Sequence, residues 1–383
     1  MKIAIDLTSL YGRKRTGVEV YAIDLYHALM TTGHTIIPIC HVKNELDSNP
    51  NSYIIRKCNR LWLENIALCK AIRKIDADIA FFPVFPPPIG LYGRCRSKIY
   101  PTIHDTAFIK FRETLNFAAK YYFTPKAKKA LRKADGIITV SDTVRKQLAQ
   151  YTKLSIFNLE NIIAAEYRNA TQKVHQSFLQ KWNLSEGEYY VSVSTIEPRK
   201  NMSYLLEVIV PLLKIQNRKL VLVGRRGWEN GSELDQWAAK AGNILVFTDY
   251  VSMDELFSLY HFSYAFVLLS KDEGFGRTPF EAVACGCKRI ILSDIPIFHE
   301  TFDGNALFVP LDNVEKARML IENNETLVSD LDVPFDNLEK NVIVFLQHLC
   351  VQDVARLRAG ESKRQRSKSK GWLLAQILLL CVV

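Results

Sequence analysis

The stretch Glu273-Gly274-Phe275-Gly276-Arg277-Thr278-Pro279-Phe280-Glu281-Ala282-Val283-Ala284-Cys285-Gly286 decides how the chain is read. Two carboxylates bracket a glycine-rich turn, and a helix is expected to begin inside the window. The apolar run at 264–269 that precedes it reads as a buried parallel strand. Strand, Gly-rich loop and helix in that order aim backbone N–H groups and a helix N-terminus at a bound anion. Thr278, Pro279 and Glu281 fit the N-cap, N1 and N3 positions of a capping box, and Gly286 fits the residue that closes the helix. On that reading Glu281 reaches back to the Thr278 N–H, a role compatible with ligand binding by the same carboxylate. Glu273 has no such local employment. At a strand end beside the exposed amides of Gly274, Phe275 and Gly276, it suits bidentate hydrogen bonding to vicinal sugar hydroxyls.

Working outward, Ile196-Glu197-Pro198-Arg199-Lys200-Asn201 follows a strand-like run at 189–194. Asn201 is expected to cap a helix whose apolar face is Leu205, Leu206, Ile209, Leu212 and Leu213. Arg199 and Lys200 then sit at a strand–helix junction, where an Arg fork beside a Lys point charge suits a diphosphate. Two exposed cations on a surface loop is the plainer alternative. The segment 12–19 follows the first strand and opens a helix through Thr16-Gly17-Val18-Glu19. It is not the G-x-G-x-x-G dinucleotide pattern, and Gly17 serves either close approach to a phosphate or a simple turn. Thr102-Ile103-His104-Asp105 ends another strand and makes His104 a candidate catalytic group. Asp76-Ala77-Asp78 precedes its strand instead of ending it and reads as a helix–strand turn, not a metal site.

Two series of strand-like runs alternate with helical patterns: 2–7, 35–40, 78–82, 98–103 and 136–140, then 189–194, 219–223, 244–247, 263–269, 289–293 and 306–309. Most are continuously apolar, as strands covered by helices on both faces are. The chain therefore reads as α/β with two parallel sheets: a first domain over 1–165, a polar linker over 166–186, a second domain over 187–345, and an atypical tail over 346–383. Ligands of such sheets bind beyond the carboxyl ends of the strands, and the motifs above other than Asp76-Ala77-Asp78 lie at strand ends, facing an inter-domain cleft.

The 383 residues are 48% hydrophobic and 23% charged, the proportions of an ordinary globular chain. The first residues read as a strand and lack the apolar core of a secretory signal. Eight cysteines show no metal-ligand or redox spacing and read as reduced thiols of a cytosolic protein. A net charge of +10 fits an anionic partner: phosphorylated substrate, anionic membrane or nucleic acid. Nucleic acid is the weakest of these, since no recognition module is present. A basic stretch over 110–133, interleaved with Phe117, Tyr121, Tyr122 and Phe123, fits either membrane docking or a solvated helix face. In the tail, seven Lys and Arg between 356 and 370 precede an apolar segment over 372–383. As a helix that segment reaches roughly 18 Å, too short for a bilayer core of about 30 Å. An interfacial anchor beside a polybasic stretch and an unstructured or altered C-terminus both fit it.

The window from Glu273 to Gly286 resembles the E-x7-E signature of family 4 glycosyltransferases, retaining enzymes of the GT-B fold with two Rossmann-like domains. The segment from Ile196 to Asn201 is similar to that family's G-T-x-E-P-R-K-N, and Val221-Leu222-Val223-Gly224, Asp249-Tyr250-Val251-Ser252 and Ser293-Asp294-Ile295-Pro296 match further blocks in order. Residues 102–105 and 136–141 match the N-terminal half. Three departures stand out. Arg277-Thr278 occupies the place of a small apolar pair, 194–195 lacks a glycine, and the family's C-terminal crossing helix is not recognisable after about residue 345.

The resemblance implies a nucleotide-sugar donor as substrate, with no metal or other cofactor. Arg199 and Lys200 would bind its diphosphate, and Glu281 the ribose. Glu273, with the loop of Gly274, Phe275 and Gly276, would bind the transferred sugar. His104 would lie near the reacting face, Gly17 would approach the phosphates, and Val251 would lie near the base. Residues 102–141 resemble bacterial mannosyl- and rhamnosyltransferases, so the expected donor is GDP-mannose. The expected acceptor is a lipid-linked glycan of a cell-surface polysaccharide such as O-antigen, met at the inner face of the plasma membrane by a peripheral, cytoplasmic enzyme. The alternatives are a sugar-nucleotide epimerase and a catalytically inactive binding protein of the same fold.

Overall fold

The computed structural model describes residues 1–10, 16–41, 49–56, 58–115, 117–195, 197–224 and 231–364. Two parallel sheets organise them. The first holds seven strands: β1 (Lys2–Asp6), β2 (Thr35–Cys40), β3 (Tyr53–Ile54), β4 (Ile79–Phe82), β5 (Lys98–Ile103), β6 (Ile137–Thr139) and β7 (Ile156–Asn158). Their order across the sheet is β3-β2-β1-β4-β5-β6-β7. The second holds six: β8 (Tyr189–Val193), β9 (Lys219–Val223), β10 (Leu245–Asp249), β11 (Ala265–Leu268), β12 (Ile290–Ser293) and β13 (Leu307–Val309), in the order β10-β9-β8-β11-β12-β13. The eleven apolar runs of the sequence all appear as strands. β1 and β4 are buried along their length apart from Lys2, and β11 and β12 are buried throughout, as expected where helices cover both faces.

The order of strands reverses once in each sheet: between β1 and β4 in the first, and between β8 and β11 in the second. Connections from these neighbouring strands leave toward opposite faces, which opens a crevice at their carboxyl ends. The segments after β8 and β11 carry Arg199, Lys200 and Glu273. Those after β1 and β4 carry Thr8, Ser9, Val84 and Phe85.

Two expectations are revised. The 166–186 segment is more than a polar linker: Ala165–Lys173 and Gln176–Trp182 form 3-10 helices, in which Tyr167, Ala170 and Leu179 are buried. Tyr167 packs edge-on against Phe257 of the second domain, 5.0 Å between ring centres. The chain beyond 345 is also not merely a tail. A helix runs from Asn337 to Arg364 and returns to the first domain. Its Leu338, Val342, Phe345, Leu346 and Leu349 are buried, and Phe345 sits edge-on among Tyr100, Phe157 and Phe81 of the first sheet. Spacing of three and four residues puts those five side chains on one stripe. The apolar segment 372–383 lies outside the described residues. No helix among the described residues is long and apolar enough to cross a membrane.

Candidate active site

β8 ends at Val193, and Pro198–Lys200 makes a 3-10 turn before the helix Met202–Gln216. Asn201 joins them in the left-handed conformation, φ 56°. It was expected to cap that helix with its side chain, yet no such hydrogen bond forms. Asn serves here because it tolerates this backbone geometry. The turn brings Arg199 and Lys200 over the end of β11. Arg199 Nη1 donates to the Asp272 carbonyl at 2.8 Å and to Glu273 Oε2 at 3.1 Å, while Nη2 donates to Glu197 Oε1 at 2.8 Å. Lys200 Nζ donates to Glu273 Oε1 at 2.5 Å, and Ser270 Oγ to the same oxygen at 2.7 Å. Residues 73 and 74 positions apart thus form one buried cluster. Burial pushes the Glu273 carboxyl up, but Lys200 and Arg199 outweigh it and hold the group at about 2. Arg199 is correspondingly held well above its ordinary range despite its burial. At neutral pH the Glu273 carboxylate is therefore ionised.

The loop after Glu273 is shaped by contact with the first domain. A Cβ on Gly274 would lie 1.9 Å from the His104 carbonyl oxygen, so only glycine fits. Ser141 Oγ donates to the Gly274 carbonyl at 2.6 Å, and Lys110 pairs with Asp272 at 3.0 Å. Gly276 takes φ +83°, and a Cβ there would meet Phe298 at 2.8 Å. Gly276 also caps the helix Arg277–Ala284, which corrects the capping box. Thr278 lies inside the helix, Pro279 at its third position, and Glu281 at its fifth. The helix closes as expected: Gly286 is left-handed, its N–H reaches the Val283 carbonyl, and the Cys287 N–H reaches that of Ala282. Freed from capping, Glu281 accepts from Tyr260 Oη at 3.4 Å and lies 3.7 Å from Arg277 Nε. Burial raises its carboxyl, against the opposing pull of Arg277.

His104 follows β5, opposite this loop. Its Nε2 lies 2.7 Å from the Pro83 carbonyl. A carbonyl only accepts, so Nε2 carries the proton and Nδ1 of the neutral ring remains an acceptor. Burial lowers the imidazole, which keeps it uncharged at neutral pH. The Tyr21 ring meets it edge-on at 5.1 Å between centres. Gly17 begins the helix Gly17–Met30, capped by Thr16 and Glu19, and faces the side chain of Arg277. Val251 is buried after β10, ahead of the helix Met253–His261. The structure therefore brings Arg199, Lys200, Glu273 and the 274–276 loop together, sets His104 and Gly17 across from them, and leaves Glu281 and Val251 further along the second domain.

Two neighbouring cavities of about 340 and 200 Å³ open at the β1/β4 crevice. Val84, Phe108, Phe123, His104 and Asp105 line the larger one, and Thr8, Ser9, Arg60 and Glu64 the smaller. Glu19 and Phe85 line both, and Arg60 sits 4.7 Å over the Phe85 ring. Of these residues Thr8, Ser9, Arg60, Glu64, Val84, Phe85 and Phe108, like Ser270 and Asp272, belong to no motif of the sequence and emerge only from the fold. The 110–133 stretch is not one basic helical face. Short turns at Ala107–Lys110 and Arg112–Thr114 precede a continuous helical run over 117–133, whose Ala119–Phe123 is a π segment, and Lys126 on that run is buried against Glu64 at 3.5 Å and Tyr122 Oη at 2.7 Å. Among the described residues no group of three or more His, Cys, Asp and Glu side chains is arranged to hold a metal.

Against known proteins, residues 15–155 match the family described as Glycosyltransferase Family 4, and residues 175–326 match Glycosyl transferases group 1. The chain is 27% identical to the O-antigen chain mannosyltransferase RfbU of Salmonella typhimurium over 257 residues, 63% of this chain and 67% of RfbU. It is 28% identical to the serotype-specific mannosyltransferase WbdA of Escherichia coli over 201 residues, which is only 24% of that longer protein. Among solved structures, HepE of Anabaena in complex with UDP-glucose superposes with a TM-score of 0.64 at 16% identity, covering 84% of this chain and 89% of HepE. WaaG, a glycosyltransferase involved in lipopolysaccharide biosynthesis, superposes with a TM-score of 0.60 at 12% identity, covering 89% of this chain and 99% of WaaG.

Proposed function

From the premise that the chain belongs to the glycosyltransferases of family 4 and group 1 type, with the GT-B fold, we propose that it transfers mannose from GDP-mannose to a lipid-linked glycan, with retained stereochemistry and without a metal. The observation that carries this reading is the ionised cluster of Arg199, Lys200 and Glu273 at the β8/β11 crevice, facing His104 across the cleft. Arg199 and Lys200 are the groups to take the diphosphate, exchanging part of their contact with Glu273 for the donor. Each charge-assisted hydrogen bond to a phosphate oxygen contributes about 1.5–3 kcal/mol. Glu273 then turns to the hydroxyls of the transferred sugar, and Glu281 to the ribose. The similarity to RfbU and WbdA supports mannose and an O-antigen acceptor.

In the transfer itself, the bond between the sugar C1 and the diphosphate oxygen breaks while the acceptor hydroxyl forms its bond to C1. Charge grows on the departing diphosphate, where two pre-placed cations stabilise it most. The acceptor proton passes to that departing phosphate oxygen on the same face of the sugar, which accounts for retention without an enzymic nucleophile. His104, neutral with Nδ1 as an acceptor, suits holding a sugar hydroxyl. The β1/β4 cavities beside it suit the acceptor glycan, with Phe85 as an apolar platform. Exposed Phe117 and Tyr121, 4.7 Å apart, share their segment with exposed Lys128, Arg132 and Lys133, and this combination supports docking on an anionic membrane.

The alternative of a catalytically inactive binding protein draws its motivation from the atypical C-terminal sequence, in which no crossing helix is recognisable. The helix Asn337–Arg364 removes that reason. The test replaces Arg199 and Lys200 with Ala and follows release of GDP from GDP-mannose. The reading predicts loss of release in a folded variant, and undiminished release would reject it.

A further inference from the structure

We propose that Arg277 is a third donor-phosphate cation of this enzyme, held in the free protein against Asp24 of the first domain and transferred to the donor's diphosphate on binding. The inference rests on the glycosyltransferase reading above and assigns a residue for which the sequence offered no role beyond a departure from the small apolar pair of the family.

Arg277 opens the helix after the glycine-rich loop, and its side chain is only 11% exposed. It crosses the cleft. Nη1 donates to Asn161 Oδ1 at 3.1 Å and lies 3.4 Å from Asp24 Oδ2, while Nε lies 3.7 Å from Glu281 Oε1. These contacts are loose beside those of its neighbours, where Arg199 and Lys200 bind their carboxylates at 2.5–3.1 Å. A guanidinium offers five donors in a planar fork. Among the described residues Nη2 of Arg277 makes no hydrogen bond, so half of the fork is uncommitted.

Its surroundings favour an anion. A Cβ added to Gly17 would come 3.7 Å from Arg277 Cδ, which places the arginine stem at the start of the helix Gly17–Met30. The amino ends of that helix, which Thr16 and Glu19 cap, and of Arg277–Ala284 therefore meet around this guanidinium, each presenting the positive end of its dipole. A cation at the first position of its own helix has the disfavoured sign, so the assembly gains from an added negative charge. The counter-ions present are weak ones: Asp24 and Glu281 are both raised by burial, Asp24 to about 6. Arg199 and Lys200 by contrast are already matched by Glu273 and Glu197. A diphosphate entering beside Gly17 meets Arg277 as the cation whose existing contacts are easiest to replace.

The test measures equilibrium binding of GDP, UDP, dTDP and ADP to wild type, then follows the tightest of them in Arg277→Leu, Arg277→Lys and Asp24→Asn. Loss of charge-assisted contacts predicts an affinity about tenfold or more weaker in Arg277→Leu, partial recovery in Arg277→Lys, and unchanged or tighter binding in Asp24→Asn, where the cation is released. Donor KM rises in Arg277→Leu with acceptor KM unchanged. Nucleoside diphosphate affinity within twofold of wild type in Arg277→Leu overturns the proposal. So does equal weakening by Arg277→Leu and Asp24→Asn, the result of a purely structural latch. Failure of the underlying reading looks different: wild type binds none of the four nucleotides, or Arg199→Ala/Lys200→Ala binds them as well as wild type does.

Discussion

The two walls of the cleft are built on the same plan and furnished in opposite ways. Each is the carboxyl edge of a parallel sheet at the point where its strand order reverses. On the second-domain wall, the segments after β8 and β11 hold a buried cluster in which Lys200 and Arg199 keep Glu273 charged against its burial. On the first-domain wall, β1, β4 and β5 end in Thr8, Ser9, Val84, Phe85 and a neutral His104, with two cavities between them. One fold therefore offers a wall suited to a leaving group that gains charge and a wall suited to an uncharged carbohydrate. The chemistry resides in the loops, as it does for folds that host many functions.

Breaking the charged wall is expected to have the largest effects. Arg199→Ala/Lys200→Ala removes both cations from the developing diphosphate charge and should lower the transfer rate by about 10²–10³-fold or more, in line with the loss of an electrostatic transition-state donor, read from initial rates at saturating donor. Glu273→Gln leaves the two buried cations without their main counter-ion and should destabilise the fold by about 3–5 kcal/mol, read from the urea midpoint. The same carboxylate sets an acid limit. With its folded value about 2 against an ordinary 4.5, its contribution to stability is complete above about pH 4.5 and is lost as pH falls toward 2. Urea unfolding at pH 7, 5 and 3.5 should show this loss in wild type and a flatter profile in Glu273→Gln.

The first-domain wall should respond more gently and in a different parameter. Phe85→Ala removes the platform shared by both cavities and should raise acceptor KM by about tenfold, the effect of losing roughly 1.4 kcal/mol of binding, with GDP affinity unchanged. A rise in donor KM instead would erase the proposed division between the walls. Smallest of all is Lys110→Ala, which removes one partly exposed pair across the cleft to Asp272. It should cost about 1 kcal/mol or less in stability.

The second-domain wall was largely legible in the sequence; of the first-domain wall His104 and Gly17 were, and most of the cavity lining was not. Glu273, the 274–276 loop and Arg199-Lys200 sit in short motifs directly after apolar strands, so strand recognition alone placed them at the cleft. Gly274 was legible only as part of a glycine-rich loop; its close approach to the His104 carbonyl, 170 positions away, was not. Thr8, Val84 and Phe85 belong to ordinary loops and become a cavity only when β1 and β4 lie side by side. The strands β3 and β7 escaped notice because two or three residues at a sheet edge form no apolar run. The closing helix escaped for another reason: Leu338, Val342, Phe345, Leu346 and Leu349 have helical spacing, yet the cations over 356–370 dominate the reading of that end. Asp24 and Arg277, 253 positions apart, show how a cross-cleft contact leaves no local trace.

The central claim is that the cations after β8 bind the donor's diphosphate. Calorimetric titration of GDP-mannose into wild type and into Arg199→Ala/Lys200→Ala tests it most directly. The account predicts one saturable site per chain in wild type and an affinity at least about a hundredfold weaker in the variant, the loss of two charge-assisted contacts. Equal affinity in the two folded proteins would contradict it.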